Sequence, residues 1–169
     1  MNDQRDLEVM IASRFPIIAI ESQEESRVLQ LLQHIARAQT QALFVWSAAE
    51  GLRGWQADGG SQSLDPTQAL RYVDATGPAG IYVLLDFHPY LGNPVNVRLM
   101  KKIALDYEKT QRTLIFVSYS VPVPPELEKL TARFQLSLPD QDAIKVIIKD
   151  EVHAWESGHP GAAVKGERE

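Results

Sequence analysis

The stretch 17-IIAIESQEESRVLQLL-32 decides the fold. Its four leading apolar residues predict a strand buried on both faces, and residues 21–26, ESQEES, predict a polar turn. The residues that follow predict a helix with one buried stripe, formed by Val28, Leu31, Leu32 and Ile35. A phosphate-binding unit begins with a strand, a loop and a helix in this order. The turn, however, contains neither glycine nor lysine.

Apolar runs and amphipathic helices continue to alternate along the chain, which is typical of βαβ units. Because the apolar runs show no polar alternation, we expect a parallel sheet covered on both faces. The fold prediction is a three-layer αβα domain over residues 1–156, with a five-stranded, mainly parallel sheet and a polar flexible tail at 157–169. Residues 50–66 predict a long surface loop. The strands are predicted at 17–20, 42–46, 81–85, 113–117 and 134–138, and helices at 6–15, 24–38, 66–74, 95–109 and from Asp140 onwards.

Composition restricts the classes of partner. The net charge is −5, which argues against nucleic acid as a partner, because tracking phosphates requires a cationic face. No apolar run is long enough to cross a bilayer, and the first residues do not resemble a signal peptide. The chain has no cysteine, and its four histidines are scattered, so no metal site can be read. We therefore expect a cytoplasmic protein without a membrane partner.

Chemistry in an open parallel sheet is expected at the carboxyl ends of the strands. Asp86 ends the run 81-IYVLL-85, which has the form of a Walker B strand, and Ser118 ends another run at the position of an ATPase sensor residue. A working phosphate loop needs glycines, a lysine and a Ser or Thr. The three glutamates of residues 21–26 would instead repel a triphosphate. We expect no catalytic residue and no nucleotide cofactor in this chain.

Five pieces of the sequence carry a family resemblance: 6-DLEVMIASRFPIIAIESQEESRVLQLL-32, 43-LFVWSAAEGL-52, 84-LLDFHPYL-91, 112-RTLIFVSYSVPVPPELEKL-130 and 138-LPD-140. With them the chain resembles the N-terminal, degenerate P-loop-like domain of a plastid- and cyanobacterial-type family of AAA ATPases. The resemblance implies a P-loop-NTPase-like fold, a degenerate AAA large subdomain. The catalytic half of that family carries the Walker A loop and arginine fingers, and no G-x-x-x-x-G-K-[ST] occurs here. Any ATPase activity implied by the family would then belong to residues outside this chain, whether the chain is a front-end piece or a stand-alone copy.

Asp86, His88 and the segment around Trp55 each allow a functional and a structural interpretation. Asp86 can bind a cation or phosphate ligand, but a carboxylate that caps the turn is favoured. His88 is a single histidine before a proline, which favours a structural role. Leu52, Arg53 and Trp55 form either a contact for a protein partner or a loop folded back onto the sheet.

These observations leave three candidate functions for the chain. The first is a non-catalytic interaction module that contacts the ATPase module of a larger chain and an adaptor or substrate. The second is a receiver-like signalling domain phosphorylated on Asp86. Only one acidic residue directly follows the first strand, however, whereas a receiver needs two acids there to bind magnesium. The third is a hydrolase or transferase that uses Asp86 and His88, which we expect to face one another poorly because they are two residues apart on a turn.

Overall fold

The computed structural model describes residues 3–55 and 63–137, and several helical residues between Lys145 and Gly158. The chain divides into two units, residues 1–136 and 137–169. The single domain predicted over residues 1–156 and the polar flexible tail predicted at 157–169 stay predictions. The start of the helix predicted from Asp140 lies outside the described residues. Most of the predicted tail lies outside them as well. No helix in the described part of the chain has the length and apolar character needed to span a bilayer.

The first unit contains four α-helices and six strands among its described residues. Two 3₁₀ segments, His88–Tyr90 and Pro125–Leu130, follow the fourth and fifth strands. The helices and strands are, in chain order, α1 Asp3–Ala12, β1 Ile17–Glu21, α2 Glu25–Ala38, β2 Leu43–Ser47, β3 Gly51–Gly54, α3 Pro66–Ala75, β4 Gly80–Leu85, α4 Pro94–Leu105, β5 Arg112–Ser118 and β6 Thr131–Phe134.

The strands form one sheet in the order β3-β2-β4-β5-β1-β6, in which every neighbouring pair is parallel except β2 with β3. Side chains of α1 and α2 pack on one face of the sheet, and side chains of α3 and α4 pack on the other. All six residues of β4 are buried, as the uninterrupted apolar run predicts. The predicted three-layer, mainly parallel α/β fold is therefore confirmed.

Two details of the predicted sheet are wrong. The sheet has six strands rather than five, because Gly51–Gly54 pairs antiparallel with β2 inside the stretch predicted to be a surface loop. The last strand is Thr131–Phe134, not residues 134–138. Pairing with β1 sets its position, since Ile17 aligns with Thr131 and Ile20 with Phe134. In both places strand pairing overrides the local sequence pattern.

The strand order contradicts the receiver-like alternative. A receiver domain places its first strand between the second and third parallel strands. Here β1 lies between β5 and β6, the last two strands of the unit. Asp86 therefore follows a strand that does not neighbour β1. The acid after the first strand and Asp86 are thus on separated strands, unlike the acidic pocket of a receiver.

Close backbone approach fixes the start of β4. Gly80 has φ +155°, and a Cβ placed on it would lie 2.6 Å from the carbonyl oxygen of Ala42. Only glycine accepts this conformation and this contact without strain. Two residues later, the buried Tyr82 hydroxyl donates a hydrogen bond of 2.6 Å to the Pro78 carbonyl. Together these contacts hold the turn before β4 against the start of β2.

Candidate functional site

The carboxyl-end edge of the sheet gathers three of the loops that the sequence analysis singled out. Glu21 ends β1, Asp86 follows β4, and Ser118 ends β5. Adjacent registers align these ends, because Glu21 pairs with Ser118 and Leu85 pairs with Val117. Parallel strands present their carboxyl ends at one edge, so these residues lie at the edge where the sequence analysis expected chemistry.

Ser118 joins two side chains from the loop after β4. Its Oγ lies 3.2 Å from Oδ1 of Asp86 and 2.7 Å from Nδ1 of His88. The Ser118 hydroxyl has one hydrogen and can donate it to only one of these two acceptors. The tautomer of His88 decides which of them receives it. The His88 ring also meets the ring of Tyr119 edge-on, with 5.0 Å between the centroids. Asp86 itself adopts the left-handed conformation, at φ +49°.

Asp86 and His88, which we expected to face one another poorly, come together through Ser118. The 3₁₀ turn that begins at His88 brings its ring back over the strand end, so that both side chains reach the same hydroxyl. A hydrolytic triad places the histidine between the serine and the carboxylate. Here the serine lies between the other two, and Ser118 is only 3% exposed. The cluster therefore contains the residue types of a triad in a different arrangement.

Where a phosphate loop would follow β1, Glu21 and Ser22 form hydrogen bonds within the protein. Glu21 Oε1 accepts a 3.0 Å hydrogen bond from the backbone N–H of Val121, and Arg133 lies 3.8 Å from the same oxygen. Ser22 donates its backbone N–H to the Ser118 carbonyl at 2.9 Å and accepts from the Glu24 N–H through its hydroxyl. These bonds fasten the loop after β1 to the loop after β5.

Sequence reasoning missed the role of Glu21 as an acceptor and did not identify Arg133. Arg133 contacts both Glu21 and Glu128, at 3.8 and 3.3 Å, and its Nη1 donates to the Val121 carbonyl at 3.4 Å. Its position on β6, beside β1, could be found only with the strand order. In the described part of the chain, no group of three or more acidic or histidine side chains could hold a metal ion.

Leu52, Arg53 and Trp55 lie on or next to the edge strand β3. Leu52 is 1% exposed and belongs to the core beside Trp46, so it is unable to contact a partner and that part of the expectation is corrected. Arg53 is exposed and pairs with Glu50 at 2.6 Å. Trp55 is 38% exposed, and its backbone N–H donates to the Leu43 carbonyl. The structure thus leaves Arg53 and Trp55 at the surface.

The strand order and the carboxyl-end loops define an α/β domain of the P-loop-NTPase-like class. A family model described as SpoVK-like AAA ATPase, N-terminal domain, matches residues 3–136. The chain belongs to this family, and the resemblance seen in the sequence is confirmed.

Curated relatives agree with this assignment. The chain is 26% identical over 148 residues to the AAA domain-containing protein ycf46 of Pyropia yezoensis, covering 86% of this chain and 30% of the relative. The ycf46 proteins of Guillardia theta and Trieres chinensis are 27% and 25% identical, and the chain covers 29% of each. The chain thus spans less than a third of the length of these relatives.

Proposed function

We propose that this chain is the non-catalytic N-terminal domain of a larger AAA-type ATPase and acts through protein interaction. The family match supports the placement, and the short span relative to the curated relatives is consistent with further modules elsewhere. On this proposal ATP hydrolysis belongs to another part of the longer protein. The N-terminal domain contributes contacts to the ATPase module, an adaptor or a substrate protein.

The main support for the proposal is that polar side chains at the carboxyl-end edge of the sheet are already hydrogen-bonded within the protein. A nucleotide-binding edge offers free backbone N–H groups and cationic side chains to the phosphates. Here Glu21 places a carboxylate at that edge and uses it to bind the Val121 N–H. Ser118 and Asp86, the sensor-like and Walker B-like residues, bind each other. A triphosphate would have to break these contacts and to approach three glutamates of the loop.

Calorimetric titration of the chain with Mg²⁺ and ATP tests the proposal. We expect no saturable heat and no rise in the melting temperature, because a ligand that binds the folded state would stabilise it. An active AAA module measured in the same buffer is the positive control. Saturable binding with a Kd of about 100 µM or tighter would overturn the non-catalytic assignment. Asp86→Asn and Glu21→Gln variants would then show whether the nucleotide sits at this edge.

Trp55 and Arg53 are the surface residues proposed to contact a protein partner. Aromatic and arginine side chains dominate the binding energy of many protein interfaces. Their exposure on or directly after the edge strand β3 supports the proposal, and this sheet edge is distant in strand order from β1 and β6.

A further inference from the structure

A pocket of about 350 Å³ lies beside Trp55, among the residues that the structure describes. It is lined by the C-terminal part of α2, the start of β2 and the end of β3. This is the opposite end of the parallel strands from Asp86 and Ser118, since β2 begins here. Its volume falls at the lower end of the range of sites that bind small ligands.

The floor of the pocket is apolar and its rim carries N–H donors. Ala36 and Leu43 form apolar lining and belong to the buried core. On the rim, the Gln33 amide oxygen, oriented from its neighbours, accepts from Arg37 Nη2 at 3.1 Å and from the Trp55 indole N–H. Gln33 therefore holds the guanidinium and the indole side by side.

Arg37 is the charged side chain among the described lining residues. Within residues 3–55 and 63–137, no carboxylate pairs with it, whereas Arg53 nearby is paired with Glu50. A guanidinium has five N–H donors in a fork that matches a carboxylate, and the Gln33 oxygen uses only part of this capacity. The charge of the rim therefore complements one carboxylate, and the floor complements an apolar side chain.

We propose that this pocket binds a segment of a protein partner in which a glutamate or aspartate stands beside apolar residues. The inference rests on the proposed interaction function and names the chemistry of the partner. Arg37 binds the carboxylate, Trp55 covers the neighbouring apolar side chain, and Ala36 and Leu43 receive it. A nucleic acid fits less well, because one arginine on a chain of net charge −5 offers little to a phosphate backbone.

The test uses the full chain and two pools of fluorescein-labelled heptapeptides. One pool has an apolar–Glu–apolar centre with randomised flanks, and the matched pool has Gln in place of Glu. Anisotropy titrations should show saturable binding of the Glu pool, at least about tenfold tighter than of the Gln pool, as expected for a charge-assisted pair. In NMR spectra the indole N–H signal of Trp55 should shift during the same titration.

Three variants locate the binding. Arg37→Gln and Trp55→Ala should each weaken binding of the Glu pool by about tenfold or more. Arg71→Gln, an exposed arginine on α3, is the matched control and should leave binding unchanged. Melting temperatures of all three variants confirm that the folded chain is being compared.

Four results would overturn the inference. These are no binding of either pool up to about 1 mM, equal binding of both pools, binding insensitive to Arg37→Gln and Trp55→Ala, or a shift of the Trp55 signal by a single-stranded oligonucleotide instead of the peptides. The result is separable from that of the ATP titration, because nucleotide binding would involve the carboxyl-end edge. Failure of the peptide test with a silent ATP titration rejects only the pocket, and saturable ATP binding rejects the non-catalytic assignment.

Discussion

The carboxylate of Glu21 accepts a hydrogen bond from the backbone N–H of Val121, a residue 100 positions later in the chain. The bond joins the loop after the first strand to the loop after the fifth. In a nucleotide-binding relative of this fold, the first of these loops would wrap phosphates. In this chain, Glu21 at the start of that loop instead binds the backbone of the loop after β5.

Glu21→Ala should lower the free energy of unfolding by about 1 kcal/mol, because Val121 is buried and its N–H loses its acceptor. Glu21→Gln keeps an oxygen at the same position and should cost less, since the ion pair with the half-exposed Arg133 contributes little. Urea denaturation of the two variants measures the difference. Equal losses for Ala and Gln would show that the charge, and not the hydrogen bond, matters.

Ser118→Ala should also cost about 1 kcal/mol, because it removes the hydroxyl that contacts both Asp86 and His88. The loss is limited because Asp86 is exposed and can turn to water. Ser120→Ala, at a partly buried position beyond the strand, is the control and should change stability by less than about 0.5 kcal/mol. An unchanged Ser118→Ala variant would mean that the cluster adds nothing to stability.

Gly80→Ala should destabilise the domain by roughly 1–3 kcal/mol, because the new Cβ would meet the Ala42 carbonyl and the residue would keep a positive φ. Gly92→Ala is a matched control, since a Cβ there has nothing within 4 Å. Thermal melting of both variants is sufficient to compare them. A Gly80→Ala chain as stable as the Gly92→Ala chain would contradict the close approach of β4 and β2.

Tyr82 should make the domain sensitive to alkaline pH. Burial raises the pKa of the folded Tyr82 hydroxyl well above its usual value. As pH rises past about 10, the unfolded chain releases this proton while the folded chain retains it, so stability falls. Tyr82→Phe loses the bond to Pro78 and costs about 1 kcal/mol at neutral pH, but it should lose less stability above pH 10.

The measurement is the urea midpoint of both chains between neutral pH and about pH 11. Tyr119→Phe is the control, because Tyr119 is 64% exposed and its removal should leave the alkaline decline in place. If the Tyr82→Phe chain declines as steeply as the parent, the burial of Tyr82 does not govern this part of the profile.

The strands that could be predicted from sequence were those buried on both faces. The runs at 17–20, 81–85 and 113–117 all lie within observed strands, because a short apolar run between turn signals is typical of a strand buried on both faces. Strand β3 could not be predicted in this way, since 51-GLRG-54 has two glycines and only one apolar residue. Its partner β2, and not its own composition, makes it a strand.

The location of the candidate site could be predicted from the sequence, but the contacts between its side chains could not. The apolar runs placed Asp86 and Ser118 at strand ends, and parallel strands finish at one edge. The third member, His88, required the path of the 3₁₀ turn, and the Glu21 bond required the loop after β5. Leu52 could be either a partner contact or part of a loop folded back onto the sheet, and its burial followed from the unpredicted strand β3.

The position of β1 in the sheet has a consequence for the synthesis of the protein. Its two neighbours, β5 and β6, are the last strands of the unit to leave the ribosome. Until they emerge, the nascent chain carries an apolar strand with both edges unpaired, which is a template for aggregation. The sheet can close only when nearly the whole unit has been made, so folding should be slow and late and should benefit from a chaperone that covers residues 17–20.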